Sequence, residues 1–251
     1  MPETGRSLGF WTAYAMGLGT MIAAGIFSLS GTAVAAIGSS SVLAFIIAAV
    51  IAGLTAAAYS EFASIYSESG GGYLFASRTF DNDYLVYLEG VMLFLGYSAT
   101  TAFYLATMGE WVHEFIYPVA PWLVASVTAL LLGALNAQGT EESGSFQIIV
   151  TAAKVLVLLV FIAGVFTYQP PMESFATFMG AFSTDLAGIA KIAAMAFITF
   201  FGFSAIAASA GEIIKPRKTV PQAIAASIVT VTVLYILVIF AMVNSPVSAE
   251  V

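Results

Sequence analysis

Gly17–Phe27 reads GLGTMIAAGIF and Thr199–Gly211 reads TFFGFSAIAASAG, two apolar stretches interrupted by glycine that fall in the first and sixth hydrophobic segments of the chain. A five-segment unit therefore restarts at the sixth segment. Backbone groups left unbonded in hydrocarbon cost several kcal/mol each, so a helix breaks at membrane depth only where protein, water or a ligand satisfies what the break frees. Interruptions at corresponding positions of two half-repeats point to a binding site near the bilayer midplane.

The rest of the chain agrees with a membrane setting. Of its 251 residues 60% are hydrophobic and 8% charged, against roughly 25% charged residues in soluble domains; the mean hydropathy is +0.98. Apolar runs long enough to approach a crossing of the roughly 30 Å hydrocarbon core lie at Leu8–Ile37, Val42–Tyr66, Tyr84–Met108, Pro121–Leu135, Phe146–Phe166, Leu186–Ile214 and Val220–Val243. The first and sixth, at about 30 residues or ~45 Å of unbroken helix, exceed what one crossing needs, and a mid-membrane break accounts for the excess. The fold class predicted is an all-α polytopic membrane helix bundle, forming one transmembrane domain over residues 1–251. With no cysteine and one histidine, His113, neither thiolate chemistry nor a metal cluster is expected, and no cofactor is predicted. The net charge of -7 argues against nucleic acid.

Orientation follows from lysine and arginine in short loops. Arg6, Arg78, Lys215, Arg217 and Lys218 fall on one side and Lys191 near the other, which predicts a cytoplasmic N-terminus. Seven spans would make a first repeat plus two helices of a second that begins near residue 186. The chain is therefore expected to be a fragment of a longer protein, and to be poorly active alone. Ser67–Gly72, reading SESGGG, is expected as a turn whose glycines allow positive φ. Glu61 and Glu89 lie near helix ends on the Arg78 side, where pairing with Arg78 or the Lys215–Lys218 cluster would form a gate or an anchor. The anchor is preferred.

In the first interruption Met21, Ile22, Ala23, Ala24, Gly25 and Ile26 form the candidate ligand contact. Small side chains let a ligand approach the main chain, a helix restarting near Gly25 presents free N–H groups suited to a carboxylate, and carbonyls ending the preceding half-helix suit an ammonium or sodium. In the second, Phe201, Gly202, Phe203, Ser204 and Ile206 place aromatics beside a glycine. Lys154 sits about eight residues, or ~12 Å, inside the run that starts at Phe146, where burying an ammonium costs roughly 2.5–3.5 kcal/mol on insertion scales. It shares one helical face with Gln147 and Thr151. Such a lysine either exchanges a proton or replaces a sodium ion with its fixed charge. Tyr97, Thr101 and Tyr104 fall at helical spacing and are expected to line an interior cavity. Glu110, Trp111, His113 and Glu114 read as an outer interface belt.

These segments resemble the amino acid, polyamine and organocation superfamily of permeases. AAGIF at Ala23–Phe27 resembles its helix-one signature. AYSEFASIY at Ala58–Tyr66 followed by SGGGY at Ser69–Tyr73 is similar to its segment-two ending, and FFGFSAIAASAGEIIKPRKTVPQAI at Phe200–Ile224 to its sixth segment and exit. Lys154 matches a lysine found on helix five of many members, where it occupies a cation site. The resemblance implies an inverted-repeat fold of the leucine-transporter type, with discontinuous helices one and six binding the amino and carboxyl groups of an amino acid. Two departures, Ala23 for a glycine and Ser204 for a glutamate, narrow backbone access and weigh against a cationic substrate. The reading reached is amino acid transport across the cell membrane by alternating access, proton-coupled through Lys154, with the amino acid, the proton and the lipid bilayer as partners. The alternative is a seven-helix retinal protein or receptor, whose lysine would belong on the last helix, where Val220–Val243 has none. An intramembrane hydrolase is disfavoured, because the single histidine lies in a predicted outer loop.

Overall fold

The computed structural model describes residues 6–23, 25–138, 140–168 and 171–245. Among these the chain is α-helical with no named strand. The first hydrophobic segment is divided: α1 (Phe10–Met21) stops, and a π turn (Gly25–Leu29) runs directly into α2 (Ser30–Ile37). There follow α3 (Ser41–Ile65), α4 (Gly71–Thr79), α5 (Asp83–Phe115), α6 (Pro121–Gln138), α7 (Thr140–Tyr168) and α8 (Pro171–Gly180). The sixth segment is divided too, into α9 (Leu186–Phe197), a 3-10 turn (Ile198–Phe200) and α10 (Phe203–Ala208), before α11 (Pro216–Val243).

Among the described residues six helical stretches are long and apolar enough to cross a membrane: Phe10–Phe27, Ser41–Ile65, Asp83–Phe115, Gly144–Val165, Leu186–Ala208 and Pro216–Val243. The fourth apolar run forms the shorter α6, whose 18 residues reach ~27 Å at helical rise. Helix starts follow local chemistry. The Asn82 carboxamide caps α5 by accepting from the N–H groups of Tyr84 and Leu85 (3.0 and 3.3 Å), Asp185 caps α9 through the Gly188 N–H (3.0 Å), and Pro216 opens α11 at a position where no N–H is needed.

The centre of the bundle is built from α1, α3, α9 and α11. One face of α3 carries Ala44, Ala48, Ala52, Ala56 and Ala63, all buried. Small residues at this spacing let membrane helices approach closely, because packing rather than water exclusion holds them together. Into that space fit Phe45, Phe200, Phe203 and Tyr235, each fully buried. Helices α5 and α6 pack on each other at the margin, with most of their residues exposed.

Three expectations are corrected. The SESGGG turn does use positive φ, at Gly70 (142°) and Gly71 (55°), but Gly71 also begins α4, which hydropathy alone does not reveal. Packing stabilises that helix: Phe75 stacks on Phe62 (centroids 5.3 Å) and meets Tyr59 edge-on (5.6 Å). Arg78 pairs with neither Glu61 nor Glu89 but with Glu68 (3.3 Å), both side chains half exposed. His113 belongs to the last turn of α5 rather than to a loop, its Nδ1 2.8 Å from the Val119 carbonyl.

Candidate functional site

Helix α1 ends where the Ile22 N–H donates to the Leu18 carbonyl (2.8 Å) and Ile22 leaves helical geometry at φ -81°, ψ 66°. The carbonyls at a helix end lack partners along the chain. Here other helices supply them. Lys154 Nζ on α7 donates to the Gly19 carbonyl (3.1 Å), and the buried Tyr235 hydroxyl on α11 donates to the Met21 carbonyl (2.8 Å). The stripe predicted on α7 faces α1 one turn lower, where Thr151 Oγ1 (3.1 Å) and Gln147 Nε2 (3.4 Å) donate to the Ala15 carbonyl. Gly19 makes room for this contact, since a Cβ there would displace the Gln147 and Thr151 side chains.

Lys154 lies near the middle of the apolar span Gly144–Val165. The salt bridge present among the described residues joins Arg78 to Glu68, so no described carboxylate neutralises Lys154. What faces it is the carbonyl end of α1, where the aligned peptide dipoles carry roughly half a negative charge. A cation on one helix thus stabilises the broken end of another.

The second interruption is tightened into three-residue turns. Phe201 N–H donates to Ile198 O (3.3 Å), Ser204 N–H to Phe201 O (3.1 Å) and Ala205 N–H to Gly202 O (3.2 Å). It lies directly against the first. A Cβ on Gly202 would come within 2.6 Å of the Gly17 carbonyl oxygen and 2.8 Å of Met21 Cγ, so only glycine permits this approach. Tyr235 stands at the junction: its hydroxyl is 3.5 Å from the Thr199 carbonyl as well as bonded to Met21, and its ring is held edge-on by Phe45 and Phe200 (5.0 and 5.1 Å).

The candidate residues divide by the side they face. Met21, Ile22, Ile26, Phe203 and Ile206 are fully buried in the core, so their side chains hold the two interruptions together. Ala23, Gly25 and Phe201 are half-buried, and Gly202 is buried between helices. Ala24 lies outside the described residues. Ser204, nearly buried, donates to the Phe201 carbonyl (2.8 Å) and accepts from the Tyr97 hydroxyl of α5 (3.1 Å). Further along α5, Trp111 meets Phe27 edge-on (6.0 Å). Helix α5 therefore runs past both interruptions and touches each. Thr101 is not drawn in: it is exposed, and its hydroxyl donates to the Tyr97 carbonyl of its own helix (2.8 Å).

Tyr235 escaped the sequence reading. The available signal is the one tyrosine of α11, a phenol in a mostly apolar helix, a group that needs a hydrogen-bond partner when buried.

The amino acid permease family matches residues 13–248. The methylthioribose transporter of Bacillus subtilis is 31% identical over 116 residues, covering 46% of this chain and 24% of its own length. The branched-chain amino acid permease BcaP of the same organism is 28% identical over 203 residues, covering 73% of this chain and 43% of its own. Human solute carrier family 7 member 13 is 30% identical over 190 residues, covering 71% and 40%. The chain spans less than half the length of each of these relatives. The family match runs from α1 to beyond α11 and takes in both divided segments, and with six stretches able to cross a bilayer this multi-pass membrane chain belongs to the amino acid permease family.

Proposed function

We propose that the chain takes part in secondary active transport of an amino acid across the cell membrane, by alternating access, with the proton as coupling ion and the N-terminus in the cytoplasm. The observation that carries this reading is the meeting of two divided helices whose freed carbonyls are held by a lysine and a tyrosine from other helices. The substrate ammonium is bound by carbonyls at the end of α1, from Met21 and Ile22, and the substrate carboxylate at the Gly25 N–H, where the chain restarts as a helix, the Ile26 N–H being donated to the Ala23 carbonyl (3.2 Å). Ala23 leaves space for the approach. On the opposite side Phe201, Gly202 and Ser204 provide main-chain and hydroxyl contacts, with Tyr97 on the α5 wall. Phe203 and Ile206 anchor the second interruption.

Lys154 gives the coupling a physical basis. A charged ammonium holds the end of α1 through Gly19 more strongly than a neutral amine, because hydrogen bonds to ionised groups are roughly twice as strong. Gain or loss of one proton therefore tightens or releases α1, the element whose carbonyls bind the substrate. The retinal-protein alternative is set aside by the family match and by the position of Lys154 on α7 rather than on the last helix. The reading is tested by uptake into proteoliposomes holding the natural protein that carries this chain. An inward proton gradient should drive accumulation with sodium absent. Accumulation that requires sodium and ignores the proton gradient refutes the coupling.

Tyr235→Phe keeps the ring packing and removes the hydroxyl from the Met21 carbonyl. A buried polar group left unsatisfied costs about 1–3 kcal/mol. Hydrogen exchange across residues 17–27 is expected to quicken by about fivefold or more, and uptake to fall about tenfold. Unchanged exchange would show that the phenol does not hold the junction.

A further inference from the structure

The chain carries a net charge of -7, yet four of its 7 lysines and arginines, Arg6, Lys215, Arg217 and Lys218, converge on one place. They surround a cavity of about 400 Å³ completed by Ile65, Ser67 and Pro216. Three separate parts of the chain form it: the segment before α1, the end of α3 and the start of α11. Backbone bonds tie them together. Leu8 N–H donates to the Glu212 carbonyl (3.0 Å) and Ile214 N–H to the Leu8 carbonyl (2.9 Å), while the Arg6 guanidinium donates to the Ser67 carbonyl (3.1 Å). Lys215 is held in the left-handed region, at φ 51° and ψ 55°, the one such non-glycine among the described residues. None of the four cations forms a salt bridge with a described carboxylate.

We propose that this cavity binds the phosphate headgroup of an anionic phospholipid. Depth favours a lipid. The spans Ser41–Ile65 and Pro216–Val243 end at its walls, and Phe10–Phe27 begins just past Arg6, so the cavity lies at headgroup level. Ile65 and Ile214, 58% and 43% exposed, offer an apolar rim to an acyl chain, which free phosphate would not use. Basic pockets between membrane helices bind such headgroups because the phosphodiester charge is fixed beside several cations in a region of reduced dielectric. A preference for basic loops on one membrane face explains which side these residues occupy. It does not explain why three segments are tied into one cavity. The bound headgroup would link the segment preceding α1 to the start of α11, and so couple the mobility of α1 to membrane composition.

The test is native mass spectrometry of the full chain in detergent, titrated with phosphatidylglycerol or phosphatidylcholine of identical acyl chains, and separately with inorganic phosphate. Phosphatidylglycerol should be retained about tenfold better than phosphatidylcholine and should not be displaced by equimolar inorganic phosphate. Each cation removed should weaken retention about fivefold, so Arg217→Gln with Lys218→Gln should reduce it by roughly 25-fold. Arg78→Gln with Lys191→Gln should leave it unchanged. The charge-preserving pair Arg217→Lys with Lys218→Arg should bind as the parent does, which separates lost charge from misfolding. Equal retention of the two lipids, equal losses from both neutralising pairs, or displacement by inorganic phosphate would each overturn the proposal.

Discussion

Lys154→Ala is expected to reduce proton-driven uptake by about 10- to 100-fold, the equivalent of the ~1.5–3 kcal/mol that a hydrogen bond to a charged group contributes. The substitution removes the cation from the middle of α7 and leaves the Gly19 carbonyl without its donor. Substrate exchange without a proton gradient should suffer less, because the carbonyls of Met21 and Ile22 remain. Lys154→Arg separates two roles for the charge. A guanidinium stays protonated throughout the accessible pH range, so an exchangeable proton is lost while a fixed cation is retained. Proton coupling requires the arginine variant to fail in gradient-driven uptake as the alanine variant does. An arginine variant that accumulates substrate normally would assign Lys154 the part of a permanent cation instead.

The second large effect is expected at Gly202, where one methyl group should displace α10 from α1. Its Cβ would lie 2.6 Å from the Gly17 carbonyl oxygen and 3.2 Å from the Met21 backbone nitrogen, atoms of a helix backbone that cannot turn aside. Overpacking of this kind costs about 1–3 kcal/mol, so Gly202→Ala should lower the thermal midpoint in detergent by roughly 2–12 °C. Gly96→Ala provides the control. A methyl group added to that helical glycine on α5 would meet no atom within 4 Å, and the replacement should be neutral or stabilising by about 0.5–1 kcal/mol. Equal midpoints for the two variants would mean that the junction tolerates separation and that its close approach does not set the stability of the site.

Much of this arrangement was legible in the residue order. Gly17–Phe27 announced an interruption because small residues and glycines stand where a continuous membrane helix would place bulky apolar ones. Lys154, deep in an apolar run with Gln147 and Thr151 on its face, had to point inward. Helix α4 was not legible. Its opening glycines signal a turn, and its stability comes from Phe75 meeting Phe62 and Tyr59 across from α3. Thr101 shows the opposite failure: spacing put it on the face of Tyr97, yet Tyr97 reaches Ser204 while Thr101 is exposed and its hydroxyl bonds the carbonyl one turn back. Periodicity reports which residues share a face. It does not report which residues of that face meet a partner.

The sequence by itself determined an all-α membrane bundle with two divided segments, because hydropathy and glycine placement act over about 20 residues of contiguous chain. Only the tertiary structure decided how the broken ends are satisfied. Lys154 reaches Gly19 across 135 positions and Tyr235 reaches Met21 across 214. The physical reason is that a carbonyl freed by a break has no partner within its own helix, so its donor comes from whichever helix packing brings alongside, and that choice belongs to the assembled bundle.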